Sequence, residues 1–381
     1  MIAMQAQAEI EYSEEEALLA QSATELLGAH CDIAAVRSSL ATESGYDREL
    51  YRRMAELGWL GVSVPAAYGG SELSVGALAS LCEPMGRHLL ASPFLASTLA
   101  AQALLCAGNE AQKRRLLPEL VNGAAIGSVA LSEPSGSYEP EPRTARAMRT
   151  PHGFSLSGSK TFALDAQHAD FVLVAVRLQE QPALLLVPAD ALAGRLRRET
   201  LIDETRRSAR IDLEGLQLGR DALLDGGEAR AALDHVQRVG WLLLAAEMAG
   251  GAEGVMQLTL EYLRTRKQFG KLIGGYQALK HPMVEILCAI EQGRSLLYHA
   301  ATAFDRPGPE RAIALRMAKA QLGDTYVQAA DRAIQFHGAI GFTYECHAQL
   351  FFRRAQWAQH TFGDSLHHRR HLAELLWPRG R

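Results

Sequence analysis

Apolar positions recur at helical spacing through the first third of the chain, alternate through the next quarter, and return to helical spacing to the end. The first zone runs to about Gly123. Ser13 precedes an apolar-periodic run, Glu14 to Leu27, and Glu16 stands three residues on, the pattern of a capping box. A second helix is predicted from about Asp47 to Leu57, stopping at Gly58. Val62-Ser63-Val64-Pro65 and Tyr68-Gly69-Gly70 cannot be helical, and further helices are predicted over Val75–Met85, Ser92–Ala107 and Glu110–Val121. The second zone, 124–226, reads as short strands at Ile126–Leu131, Phe154–Ser157, Phe171–Val176, Ala183–Val187 and Arg210–Glu214. Strands without intervening helices point to an antiparallel barrel or sandwich, not a parallel sheet with crossover helices. The third zone, 227–381, predicts a long helix over about Glu228–Arg266, a break at Gly274-Gly275, and helices over Tyr276–Phe304, Glu310–His337 and Ala348–His360. A loop at Asp305-Arg306-Pro307-Gly308-Pro309 interrupts them. The expected fold class is α+β and mostly α: a helical domain (1–123), a β-barrel domain (124–226) and a helical bundle (227–381).

With 48% hydrophobic residues over 381 positions the chain can bury a sizeable core, and a net charge of -4 supplies no global field to recruit nucleic acid. Met1-Ile2-Ala3-Met4 leads into acidic Glu14-Glu15-Glu16 without the basic and apolar regions of a signal peptide. The apolar run Trp241–Ala252 is broken by Glu247 and too short to span a bilayer, so no membrane role is expected. Five scattered cysteines without CxxC spacing read as reduced thiols of a cytoplasmic protein. His367, His368 and His371 lack accompanying acidic or cysteine ligands, so a surface or interface role is expected rather than a metal site.

Four segments carry more specific information. Ala130-Leu131-Ser132-Glu133-Pro134-Ser135-Gly136-Ser137 ends a predicted strand in a turn rich in small polar residues, which can offer N–H groups and hydroxyls to a ligand. Leu156-Ser157-Gly158-Ser159-Lys160-Thr161-Phe162 places an aromatic ring on another strand. Tyr262 to Gly270 reads Tyr-Leu-Arg-Thr-Arg-Lys-Gln-Phe-Gly and is followed by Ile273 and Gln277. Its Arg266 has the planar fork suited to phosphate. Ala333 to Phe342 carries Gln335, Gly338 and Gly341, glycines that let backbone approach a ligand.

In that order, and with those domains, the chain resembles the acyl-CoA dehydrogenase family over almost its whole length. The resemblance implies FAD. Leu131, Ser132, Ser137 and Phe162 would meet the flavin, while Arg266, Phe269, Gln277, Gln335, Gly338 and Gly341 would reach the cofactor of a neighbouring subunit. It also implies a homotetramer, or a heterotetramer with a related subunit. The activity implied is α,β-dehydrogenation of an acyl-CoA, with the α-proton going to a carboxylate, the β-hydride to flavin N5, and electrons onward to an electron-transfer flavoprotein. The chain departs from the family pattern in places. Ser132 stands for Thr, one residue is missing before Gly136, Tyr138 stands for Asp, and Leu164 stands where a hydroxyl is usual. Phe362 occupies the position of the common catalytic Glu.

That substitution leaves the base to be found. Glu247 lies on the long helix with Gly251 and Gly254 at i+4 and i+7, a face small enough for a flat ligand, and a carboxylate there would have its pKa raised by burial. The competing reading is a buried ion pair with an arginine such as Arg332. Asp364, beside Phe362, is the alternative base. The Ala-Ala-Glu247 and Phe362-Gly363-Asp364 to His368 segments resemble a bacterial subgroup in which some members, acting in steroid and other bulky acyl-CoA catabolism, form heterotetramers that divide the site between unlike chains. Two other functions stay open: a catalytically degenerate supporting subunit, and a flavin oxidase or monooxygenase on the same fold.

Overall fold

A computed structural model describes residues 13–377, so the N-terminal tetrapeptide read for a leader lies outside the described residues. Eleven helices are described: α1 (Glu14–His30), α2 (Ile33–Leu40), α3 (Arg48–Glu56), α4 (Leu78–Arg87), α5 (Phe94–Ala107), α6 (Glu110–Val121), α7 (Ala229–Thr265), α8 (Gln277–Thr302), α9 (Pro309–His337), α10 (Ala348–His360) and α11 (Ser365–Leu376). The strands are β1 (Gly127–Ala130), β2 (Arg146–Thr150), β3 (Gly153–Ser157), β4 (Ser159–Leu164), β5 (Phe171–Leu178), β6 (Gln181–Pro188), β7 (Leu196–Arg198), β8 (Ser208–Asp212) and β9 (Gln217–Gly219), followed by a short hairpin of β10 (Lys267–Gln268) and β11 (Lys271–Leu272). Ser13 closes the expected capping box with Glu16. No described helix is long and apolar enough to cross a membrane.

The chain divides into two compact units. One comprises Val36–Leu73 and Ala91–Gly240, and the other Ser74–Leu90 and Trp241 onward together with the described residues up to Ala35. The N-terminal helices are therefore shared out between the two: α3, α5 and α6 belong with the strands, α1 and α4 with the C-terminal helices.

In the strand-bearing unit, one sheet has the order β1-β5-β2-β3-β9 with β6 on β5, and a second has the order β4-β8-β7. Most pairings are antiparallel as expected, but β1–β5 and β2–β5 are parallel. Strand β5 is buried along nearly its whole length, which explains its continuous apolar run. Strand β2 escaped the sequence reading because Arg-Ala-Met-Arg-Thr buries only Ala147 on its inner face.

In the other unit, α8, α10 and α11 all pack on α9. Helix α11 was not anticipated; Asp364 caps it, accepting from the N–H of His367 at 2.7 Å. Helices α4 and α7 cross at backbone contact. A Cβ on Gly86 would lie 1.9 Å from the Glu247 carbonyl oxygen, and one on Gly250 would lie 1.7 Å from that of Glu83.

Candidate active site

Within the strand-bearing unit, the segment after β1 is held by a buried ion pair. Lys160, fully buried on β4, donates to the Leu131 carbonyl at 3.0 Å and to Glu133 at 3.1 Å. Glu133 also accepts from the backbone N–H groups of Arg143, Thr144 and Ala145 and from the Thr144 hydroxyl. One carboxylate thus closes the loop that carries Ser132 and Ser137. Burial pushes its pKa up, but the Lys160 charge and the Ala145 and Thr144 donors outweigh that and hold it at about 2. Burial pulls Lys160 down, to about 8, against the opposing pull of Glu133. Because the folded Glu133 titrates below an unfolded glutamate, its contribution is present above about pH 4.3 and is lost as pH falls from there through about 2. Glu133→Gln should lower stability at neutral pH and flatten that acid limb. Urea midpoints measured from pH 2 to 7 test this, and an unchanged slope in the variant would count against the loop clamp.

Phe162 lies at an irregularity in the β4–β8 pairing, between Lys160 and Ala163. Its backbone is left-handed (φ 52°) and its ring is 57% exposed. Its N–H donates to Glu199 at 2.9 Å, and Glu199 also accepts from the Ser208 hydroxyl at 2.7 Å. A non-glycine residue in this conformation is strained, so the surroundings fix an aromatic side chain facing outward. Leu164 is buried and offers its carbonyl to the Ser128 hydroxyl at 2.6 Å.

In the other unit, Arg266 follows α7 and is exposed; its guanidinium makes no hydrogen bond or ion pair with the described residues. The β10–β11 hairpin presents Phe269 with a left-handed backbone and 91% of its surface exposed. Gln277 opens α8 and is also exposed. Gln335 ends α9 in solvent, Gly338 has φ 66°, and Gly341 lies so close that a Cβ would meet the Ile334 carbonyl oxygen at 2.2 Å. These uncommitted, exposed donors and close backbone turns suit a phosphate-bearing cofactor.

Glu247 is 7% exposed, and its Oε1 accepts from Arg354 at 2.5 Å; Arg354 also donates to the Leu90 carbonyl at 3.3 Å. The arginine beside Glu247 is thus Arg354 on α10, and Arg332 is exposed. The glycine face expected to admit a flat ligand is filled: Gly251 faces the Tyr326 ring, and Gly254 faces the Arg87 carbonyl and Phe351. Asp364, the alternative carboxylate, is occupied as the α11 cap.

Phe362 has a left-handed backbone (φ 58°), and its carbonyl accepts from the Trp241 indole at 2.8 Å. Lys319, buried on α9, donates to the carbonyls of Ala358, Gln359 and Gly363, and so caps the end of α10 and pins the turn after it. Burial lowers its pKa to about 7 against the pull of Asp364. His368 is buried rather than at the surface, edge-on to Trp241 at 5.2 Å; burial, then the nearby Lys319 and Arg316 charges, lower its pKa to about 2. Lys160, Lys319 and Arg354 had no role in the sequence reading. Their signal was charge within otherwise apolar-periodic segments, which implies a buried partner.

The N-terminal domain model of acyl-CoA dehydrogenases matches residues 13–124, and the C-terminal domain model matches residues 231–376. Acyl-CoA dehydrogenase IpdE2 of Mycobacterium tuberculosis is 31% identical over 373 residues, covering 96% of this chain and 98% of the relative. The chain belongs to the acyl-CoA dehydrogenase family. Two solved structures share the acyl-CoA dehydrogenase fold across its length. The Tcur3481-Tcur3483 steroid ACAD is 28% identical with a TM-score of 0.84, covering 95% of this chain and 98% of that one. The ChsE4-ChsE5 complex of Mycobacterium tuberculosis, at 23% identity, superposes with a TM-score of 0.88, covering 98% and 100%.

Proposed function

We propose that this chain is a subunit of an FAD-dependent acyl-CoA dehydrogenase that removes hydrogen across the α,β bond of an acyl-CoA and passes electrons to an electron-transfer flavoprotein. The observation that carries the reading is Phe162, an outward aromatic held in a left-handed conformation where the family stacks its flavin. Bound FAD would supply the hydride acceptor. Phe162 would orient its ring system, Leu131, Ser132 and Ser137 would line the same edge, and Arg266 with Gln277 and the Gln335–Gly341 turn would hold the phosphate and adenosine end across a subunit contact. Exposed Phe269, Val284, Leu287, Phe342 and Tyr344 suit burial against another subunit in a tetramer.

Glu247 and Arg354 favour a second, narrower reading: a division of labour between unlike subunits. A carboxylate bound by a buried guanidinium is stabilised in its charged form and is a poor proton acceptor, and Phe362 offers no carboxylate at all. In this reading the chain completes the cofactor site, and a related partner subunit supplies the base. Relatives solved as the Tcur3481-Tcur3483 and ChsE4-ChsE5 pairs fit such an assembly.

The test is anaerobic flavin bleaching by acyl-CoA, including ring-bearing acyl groups, for Glu247→Gln and for a Glu247→Gln/Arg354→Met variant that keeps the core neutral, each assembled with its partner. Rates within a few-fold of wild type are expected. A loss of roughly 10²–10⁴-fold with flavin retained would make Glu247 the base.

A further inference from the structure

We propose that the exposed face of the β4-β8-β7 sheet carries a second ligand site, for a phosphate-bearing small molecule, built from Arg195, Arg197, Arg210 and Ser159. The three arginines, Gly158, Ser159 and Asp212 line one cavity of about 460 Å³. That size is within the range of small-molecule sites.

The charges in this cavity are not matched from within. None of the three arginines forms an ion pair with the described residues, whereas exposed arginines elsewhere, such as Arg52, Arg114 and Arg369, do. The only acid in the lining, Asp212, accepts from the Glu214 N–H at 3.0 Å and so serves the turn after β8. Arg195 is anchored through one guanidinium nitrogen to the Glu214 carbonyl at 2.8 Å. Arg210 is steadied by the Ser159 hydroxyl at 3.3 Å, and Arg197 has no side-chain partner among the described residues.

The strand register makes this more than a solvated basic patch. Arg197 and Arg210 are direct partners in the antiparallel β7–β8 pair. Like charges placed opposite each other across strands destabilise a sheet. In a chain with net charge -4, three arginines gathered around a concavity that holds the single carboxylate of Asp212 leave an excess of positive charge that an anion would complete. Guanidinium forks match the oxygens of a phosphate in pairs, and the Ser159 hydroxyl adds a further donor. The phosphate could be free, or the monoester of a nucleotide tail such as that of a coenzyme A thioester.

The experiment is titration calorimetry on the assembled flavoprotein with inorganic phosphate, adenosine 3′,5′-bisphosphate and, as an uncharged control, adenosine. Wild type is compared with Arg197→Lys and with Arg197→Gln/Arg210→Gln. The double variant should bind the phosphate ligands at least tenfold more weakly while keeping its flavin absorbance, and its thermal midpoint without ligand should be no lower than that of wild type. Arg197→Lys, which keeps the charge and loses the fork, should fall between. Comparable binding of both phosphates would identify a free-phosphate site, and binding of the bisphosphate alone a nucleotide tail. If neither binds wild type, or if all three proteins bind equally, the site does not exist.

Discussion

Arg354→Leu is expected to destabilise the protein by about 3–5 kcal/mol, the cost of leaving a buried carboxylate without its cation. Arg354 is fully buried, Glu247 nearly so, and the bond between them links α10 to α7 inside one helical unit. The glycines that follow Glu247 on its face are closed by Tyr326 and Phe351, so the pair sits in a packed interior. A matched pair of apolar replacements, Glu247→Met with Arg354→Met, should recover most of the loss, because removing both charges also removes the desolvation cost of burying them. Urea unfolding at fixed protein and FAD concentration measures this, since ligand and subunit concentration both shift apparent stability. A loss below about 1 kcal/mol for Arg354→Leu would mean that Glu247 is neutralised by other means, and would reopen its role as a proton acceptor.

Arg266→Ala is expected to leave the secondary structure and assembly intact yet weaken FAD retention roughly 30- to 1,000-fold. Hydrogen bonds to charged groups are worth about 1.5–3 kcal/mol each and are strongest as two-pronged contacts, so losing such a contact costs about 2–4 kcal/mol of affinity. The residue is exposed and forms no ion pair within its own chain's described residues, so its removal disturbs little in the fold. Visible flavin absorbance after gel filtration, alone and with a co-expressed partner, is the measure, and wild-type retention by the variant would remove Arg266 from the cofactor site.

The order of helical, strand and helical zones was legible because apolar periodicity marks long buried elements such as β5 and α9. Motif spacing also singled out Arg266, Phe269 and Gln277, which stand exposed just after α7, in the β10–β11 turn and at the start of α8. What could not be read was pairing. Nothing in the sequence says that Glu247 meets Arg354, 107 positions away, or that Glu133 meets Lys160 and the backbone of 143–145. The same limit applies to Tyr326, Phe351 and the Arg87 carbonyl, which fill the glycine face expected to be open beside Glu247.

The interleaving of the two units bears on how the chain can be made. Residues Val36–Leu73 and Ala91–Gly240 complete one unit before the segment from Trp241 onward has been synthesised. Helix α4 emerges among the residues of that unit but belongs to the other, and its apolar side chains, Leu78, Leu81 and Met85 among them, are buried there. Helix α1, made earlier, already packs on α4, but at ribosomal speeds of about 5–20 residues per second the α7 backbone that meets it at Gly86 follows only on the order of ten seconds later. The α4–α7 crossing can therefore form only late in synthesis, and extra holdase during expression should raise soluble yield, a dependence that matched expressions with and without it would measure.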